Sequence, residues 1–500
     1  MADILTKDHL HQIIQMIQQI YLSDNIPWIC GYSGGKDSSA AVQLVWMALQ
    51  QLPIEKRRKV VHIISTDTLV ESPVVAAWAE RSLSKIREAA EKEMLPFVPH
   101  RLTPQIQNTY WVNLIGRGYP YPRPNFRWCT GRMKIDPSNQ FIKSVLEAES
   151  EAILVLGTRK AESKARKAVM ESYEKKRYRQ HLSPNGSFPN TYVLTPIENW
   201  TDSMVWQFLM QYPNPWGHSN KDLLAMYRGA SVDNECPLVF ESGTPTCGGS
   251  RMGCWVCTMV AQDKSLAAMI HNDEEKAWML PLLEFRNFIA AYNQDENRNA
   301  LDRRRRDFRR MTGNLTLHNG RLVHGPYKKE VREEFLCKLL RLQTSIRKTG
   351  PEELKGVNLI THEELCFIRR LWLNEKHEFD DALPRIYKEA TGEDFEDKII
   401  KGNKYYGQDE WDLLKEICQS ERFRDYELLL ELQSTLLDME AKSSAVNAKK
   451  NVIKNLESEI KRAYYKDEQD AEHLMLDRRR RGSEEEPIPD MEEQLPEDAE

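Results

Sequence analysis

The sequence predicts an α/β fold: a mostly parallel sheet over residues 1–212, a cysteine-rich segment at 213–265, a mostly α-helical C-terminal half at 266–480 and a disordered acidic tail at 481–500. Three observations predict it. Short apolar runs alternate with amphipathic helical patterns up to about residue 210, the order that builds a parallel sheet. From there to about residue 262 the pattern turns irregular and rich in Gly, Pro and Cys, as in a segment organised by a metal rather than by core burial. Beyond it, apolar residues recur three and four apart.

The elements follow in order. "PWICGY" from Pro27 is a first strand and "SSAAVQLVWMALQQL" from Ser38 a helix; "KVVHIISTDT" from Lys59 is a second strand and "SPVVAAWAERSLSKIREAAEKE" from Ser72 a long amphipathic helix. "LPFVPHRLTP" from Leu95 gives a third strand and "EAILVLGTRKAES" from Glu151 a fourth. Each strand meets its polar residues at its C-terminal end, the edge where open α/β sheets bind ligands. In the second half, "DKSLAAMIHNDEEKAWMLPLLEFRNFIAAYNQ", "YKKEVREEFLCKLLRLQTSIRK", "HEELCFIRRLWLNEK" and "WDLLKEICQS" read as helices, and the stretch from Arg422 to Leu476 as a helical hairpin.

An apolar share of 41% over 500 residues fills at least one large core. No run of 18 apolar residues suggests a membrane span, and "MADILTKDHLHQII" lacks the features of a secretory leader, so the expected location is the cytoplasm. Nine cysteines in such a chain argue for free thiols, metal ligation or redox chemistry rather than a disulfide framework. The formal net charge of −5 conceals segregation: "LDRRRRDFRR" is basic and the tail acidic. Arginines 303 to 306, 309 and 310, with Phe308, Lys328 and Lys329, could neutralise the backbone phosphates of DNA, or form a helix face balanced by neighbouring acids.

Between the first strand and its helix lies Ser33-Gly34-Gly35-Lys36-Asp37-Ser38. Amides at a helix N-terminus converge on an anion, glycines allow close approach of the main chain, and Lys36 adds a positive charge. The spacing does not fit G-x-x-x-x-G-K-[ST], so this is not the phosphate loop of the common ATPases. The segment "SGGKDS" resembles the pyrophosphate loop of the ATP pyrophosphatase (PP-loop) superfamily. With "STDTLVESPVV" at 65–75, "RWCTGRMKI" at 127–135, "LGTRKAES" at 156–163 and "TPIENWTDSMVWQFL" at 195–209, it is similar to the phosphoadenosine-phosphosulfate (PAPS) reductase-like branch. That resemblance implies an adenine-nucleotide α-hydrolase-like fold and cleavage of ATP between its α- and β-phosphates. It puts Lys36 and Asp37 in catalysis, the loop from Ser33 to Ser38 on the nucleotide, Asp67 near the nucleotide or its Mg²⁺, and Arg159, Glu162 and Ser163 beside the phosphates.

Cys236, Cys247, Cys254 and Cys257 are spaced C-x10-C-x6-C-x2-C, with Gly and Pro between them that let the chain wrap one inorganic centre. Four thiolates suit a structural zinc or a [4Fe–4S] cluster, and ligand count does not separate them. The nucleotide blocks, the cysteine run and the helical C-terminal half together resemble the sulfurtransferases of DNA phosphorothioation. This implies an iron–sulfur cluster, DNA as substrate, a cysteine desulfurase as sulfur donor, and further subunits of a DNA-modification complex. Cys30 and Cys129 are candidate persulfide carriers or redox partners, Cys129 because Arg127, Arg132 and Lys134 could lower its pKa; Cys30 fits equally a small buried residue at a strand end. Alternatives are a sulfonucleotide reductase or tRNA thiolase of the same superfamily, or an ATP-sensing iron–sulfur DNA-binding subunit.

Overall fold

The structure, a computed structural model, describes residues 4–230, 253–291, 298–397, 406–420, 426–445, 452–463 and 465–482. The chain divides into two compact units, one built from Met1–Gln105 and Pro124–Leu283, the other from Ile106–Arg123 and Glu284–Glu493.

The first unit is a six-stranded sheet with helices on both faces. Its strands are β1 (Trp28–Gly31), β2 (Val61–Thr66), β3 (Phe97–Leu102), β4 (Ala152–Val155), β5 (Ser183–Pro184) and β6 (Thr191–Leu194). They lie in the order β3-β2-β1-β4-β6-β5, all parallel except β5, which runs antiparallel to β6. The four strands expected from the sequence are present; β5 and β6 were not foreseen.

The helices α1 (Lys7–Leu22), α2 (Lys36–Gln50) and α3 (Pro73–Lys92) belong to this unit. Because strand side chains alternate, Trp28 and Cys30 enter one core together with Ile63, Val155, Trp46 of α2 and Ile86 of α3. Ile29 faces the other way, into a smaller core with Ile64, Leu154 and Ile142 of the helix Asp136–Glu149. Burial on both faces is why these strands read as continuous apolar runs. The chain leaves β1 toward β2 on one side and later returns to β4 on the other. That makes the carboxyl ends of β1 and β4 the topological switch point, the place where such sheets hold ligands.

The second unit is helical, with Lys329–Thr349, His362–Asn374, Ala382–Thr391, Gln408–Cys418 and Tyr426–Ala445 among its helices. Its core includes a stretch with no element expected from the sequence. The π-helical turn Val112–Arg117 is buried over residues 112–116, Trp111 Nε1 donates to the Leu359 carbonyl at 2.6 Å, and Trp372 Nε1 donates to the Ile115 carbonyl at 3.2 Å. A Cβ on Gly116 would stand 2.8 Å from Leu371 Cδ1, so only glycine lets the turn approach that helix. The single helix expected from Asp263 to Gln294 is broken at Asp273, whose carboxylate accepts from the Glu275 amide at 3.0 Å and starts a new turn.

Most of the arginine run is internal to this second unit. Arg306 pairs with fully buried Asp302 at 3.0 Å, Arg305 donates to the Phe288 carbonyl at 2.7 Å, and Arg303 donates to His324 at 2.8 Å. Buried Arg309 bridges Asp307 at 2.6 Å and Glu431 at 2.5 Å. Lys328 pairs with Glu427 at 2.9 Å and Lys329 with Asp380 at 2.5 Å. Of the six arginines only Arg304 and Arg310 are exposed. Of the two readings left open, the run therefore follows the one in which acids balance it: Asp302 and Asp307 are near in sequence, whereas Glu427, Glu431 and Asp380 reach it only through the fold. No helix among the described residues is long and apolar enough to cross a membrane.

Candidate functional site

The loop Ser33–Gly35 connects β1 to α2, and its shape is built in by small residues. Gly34 takes φ +74°, a left-handed conformation that disfavours any side chain, and its carbonyl accepts from Trp78 Nε1 at 3.1 Å. The Ser38 hydroxyl donates to the Gly35 carbonyl at 3.1 Å and accepts from the Ser33 amide at 3.2 Å. Across the switch point, Gly157 after β4 packs so closely that a Cβ there would stand 2.6 Å from the Asp37 carbonyl oxygen. Gly35 caps α2 with no side-chain acceptor. The Lys36 amide donates to the Tyr227 hydroxyl at 3.3 Å, whereas the amides of Gly34, Asp37 and Ser38 have no acceptor among the described residues. Three unpaired donors at and just before a helix N-terminus have the arrangement of an anion cradle.

Beneath it lies a charged quartet. Arg159, 2% exposed, donates to Asp37 at 2.7 Å, to Asp202 at 2.5 Å and to the Trp200 carbonyl at 3.2 Å. Lys36 Nζ lies 2.9 Å from Asp37 and 3.2 Å from Asp202. Burial pulls the Lys36 amine down, but Asp37, Tyr227 and Asp202 outweigh it and raise its pKa. Burial pushes Asp202 up, while Lys36 and Arg159 hold its carboxyl below the ordinary value. Arg159 therefore supports the loop from below rather than standing open to solvent. Asp202 and Tyr227 were not foreseen as site residues; Asp202 lies inside the quoted block at 195–209, but an acid in the first turn of a helix has an ordinary explanation, which masked it.

The remaining expected contacts are more ordinary. Glu162 accepts from the Arg159 amide at 2.9 Å and Ser163 caps the helix Lys164–Glu174 by accepting from the Arg166 amide at 3.1 Å. Asp67, at the tip of β2, accepts from the Leu69 amide at 2.8 Å and from Arg101 Nε at 3.0 Å, so both its oxygens are engaged. Among the described residues no three His, Cys, Asp or Glu side chains group closely enough to hold a metal ion, and Asp67 as placed does not fit a magnesium ligand.

A second cluster gathers beyond β2. The turn holding Cys254 and Cys257 docks on residues 68–72: the Trp255 amide donates to the Val70 carbonyl at 3.1 Å, and the Cys257 amide to the Cys254 carbonyl at 3.0 Å. Cys254 Sγ lies 3.4 Å from Thr68 Oγ1 and 3.7 Å from Glu71 Oε1, and Lys134 Nζ is 3.6 Å from Glu71. Burial first, then Glu71, pushes the Cys254 thiol up to about 12. Cys129, on a short helical turn at 128–130, is raised by burial and by Cys257 more than Lys134 lowers it. The neighbouring cations do not give it the depressed pKa that the sequence suggested. The sequence reading placed Lys134 beside Cys129 but missed Thr68 and Glu71 as neighbours of Cys254. Cys236 and Cys247 lie outside the described residues. Two half-buried thiols near an ammonium suit the electrostatic need of an anionic thiolate-held cluster. Cys30 pairs with Ile63 and Val155 in the sheet, is fully buried, and has its thiol pushed well above the usual range by burial. This is the small core residue of the two readings open to it.

Comparison with known proteins finds similarity over part of the chain. Residues 27–216 match the family described as phosphoadenosine phosphosulfate reductase domain. The match spans the mostly parallel sheet with its flanking helices and stops short of the helical C-terminal half. An uncharacterized protein of Methanocaldococcus jannaschii is 24% identical over 289 residues, 57% of this chain and 46% of its own length, so the chain spans about half of that relative. Among solved structures, a PAPS reductase from Candida auris in complex with phosphate is 13% identical over 45% of this chain and 93% of its own, with TM-score 0.25. The U34-tRNA thiolase from Methanococcus maripaludis with its [4Fe–4S] cluster is 13% identical over 58% of this chain and 82% of its own, with TM-score 0.27. An FMN adenylyltransferase from Candida glabrata is 13% identical over 46% and 66%, with TM-score 0.27.

Proposed function

We propose that the protein is an ATP pyrophosphatase-type sulfurtransferase that activates a DNA backbone phosphate and helps replace a non-bridging oxygen by sulfur. The observation that carries the ATP part is the cradle at the switch point, with the amides of Gly34, Asp37 and Ser38 unpaired beside Lys36. DNA as acceptor is carried by the resemblance of the nucleotide blocks, the cysteine run and the helical half taken together.

A phosphodiester oxygen is a poor leaving group, so it must be activated first. In the scheme that follows, the non-bridging oxygen attacks the α-phosphorus of ATP and pyrophosphate departs. A thiol reduces the persulfide carried by a cysteine desulfurase partner, leaving as a disulfide and freeing hydrosulfide, which then attacks the DNA phosphorus while AMP leaves with the original oxygen. The loop amides meet the charge that grows on the leaving pyrophosphate, and Lys36 joins them by exchanging a carboxylate partner for phosphate oxygen. Asp37, Asp202 and Arg159 fix the loop and keep Lys36 charged. Cys254 and Cys257, with Cys236 and Cys247, would hold a [4Fe–4S] cluster, which supplies a redox-active or sulfur-handling centre when bound.

The test is the product of ATP. Incubated with ATP, DNA and a sulfide source, the protein should release pyrophosphate and AMP, and the Lys36→Ala variant should lose this release. Orthophosphate as the sole product would sink the proposal. Digestion of the DNA and mass analysis for phosphorothioate dinucleotides tests the acceptor separately.

A further inference from the structure

We infer that the exposed basic segment Lys164–Arg179 is the surface on which the protein receives a polynucleotide backbone. The inference rests on the sulfur-transfer reading above and names where its substrate lands.

The segment holds seven Lys and Arg residues against two Glu. Its helix, Lys164–Glu174, buries no residue, so core packing does not explain its composition. Its first turn has no acid and begins with Lys164, Arg166 and Lys167, cations set where the helix dipole favours anions. A sequence that breaks a local rule without packing in return points to a ligand, here an anionic one. The side-chain amines of Lys164 and Lys175 make no hydrogen bond or ion pair among the described residues, and the Lys167–Glu171 contact is loose at 3.9 Å. Arg177 and Arg179, in contrast, anchor the far end, on Glu198 at 2.8 Å and Asp24 at 2.7 Å.

Aromatic rings are interleaved with these charges. Tyr178 is 65% exposed and stacks on Tyr192 of β6 with ring centroids 5.2 Å apart, and Lys176 lies 5.9 Å over the Tyr173 ring. Cations that meet phosphates, with exposed rings beside them, are the recurring equipment of nucleic-acid surfaces. The placement matches as well. The helix begins five residues after Arg159, and its cap, Ser163, follows Glu162, which accepts from the Arg159 amide. The start of the helix therefore follows directly from the sheet edge that carries the cradle, and Arg179 ties the far end to Asp24 ahead of β1. The arginine run at 303–310, mostly paired internally, offers no such set.

The test uses the full-length protein with Lys164→Glu, Lys167→Glu and Lys175→Glu combined, and a second variant with glutamine at the same three positions. Binding to a labelled DNA duplex and to a labelled RNA hairpin is measured over a salt series. In the charge-reversed variant DNA affinity should fall about ten-fold or more near 0.1 M salt, and the slope of log K against log[salt] should flatten by about 0.9 for each phosphate that the variant no longer neutralises. The glutamine variant should show the same change of slope, and thermal melting shows that each variant is folded. Unchanged affinity and slope in both variants overturn the inference, as does a wild-type protein that binds neither nucleic acid. If only RNA binding depends on these lysines, the surface stands while DNA as acceptor in the proposed reaction falls. Pyrophosphate release without nucleic acid judges the cradle independently of either result.

Discussion

At the scale of single residues, the site depends on charges that are kept out of water in balanced number. Arg159 holds Asp37 and Asp202 at once and is almost wholly buried. Arg159→Met would leave two carboxylates with Lys36 alone, and breaking a buried pair costs about 3–5 kcal/mol; denaturant unfolding should register a loss of that order. His218 adds a pH dependence. Its ring stacks on Trp78 at 3.6 Å, bonds to Ser82, and has its pKa lowered to about 4, chiefly by burial and also by Lys85 and Arg81. The unfolded chain binds a proton near pH 6.5 that the folded one refuses until about pH 4. Stability from this residue is therefore complete above pH 6.5 and declines as pH falls through that window. His218→Gln should make the unfolding midpoint less sensitive to pH between those limits; an identical pH profile would discard the assignment.

At the scale of elements, the cradle is a property of two glycines and the strands that present them. Gly157→Ala would put a methyl group within 2.6 Å of the Asp37 carbonyl oxygen and 2.9 Å of the Ser38 amide. Overpacking of this kind costs about 1–3 kcal/mol, and here the loop yields first, so ATP affinity measured by calorimetry should drop roughly ten-fold. For the second cluster, Cys254→Ser should lower iron and acid-labile sulfide in anaerobically purified protein, and retained stoichiometric iron would remove Cys254 from the ligand set. Much of this level was legible in the sequence, because β1 and β4 are short runs buried along nearly their whole length, and β2 and β3 carry apolar residues into polar ends. The turn from Ser33 to Ser38 was legible for the same reason, since phosphate-binding amides need glycine and a helix start. Strand β6 was not, being four residues long with half-buried Tyr192 and Val193 between its buried ends. The partners of Lys36, Cys254 and the arginine run escaped notice because Asp202, Glu71 and Glu431 meet them only through the fold. The Asn319-Gly320 turn, positive in φ at both residues, joins the short strands Leu317–His318 and Arg321–Leu322; its signal stood in the sequence unread.

At the scale of the whole molecule, the chain enters the second unit at Ile106, leaves it after Arg123 and returns only at Glu284. A fragment ending at Leu283 therefore carries Trp111, Val112, Leu114 and Ile115 without the helices that bury them. Such a fragment should bind a hydrophobic dye and aggregate at micromolar concentration, while the fragment with Trp111→Ser and Ile115→Ser should do so less; a soluble, dye-silent parent fragment would contradict this. The same threading bears on how the protein is made. The ribosome delivers the turn at Val112–Arg117 long before the helix His362–Asn374 that covers it, and at about 5–20 residues per second the interval is on the order of tens of seconds. During that interval a nascent chain with a nearly finished sheet still displays an oily strip, a natural target for chaperones that attend translation.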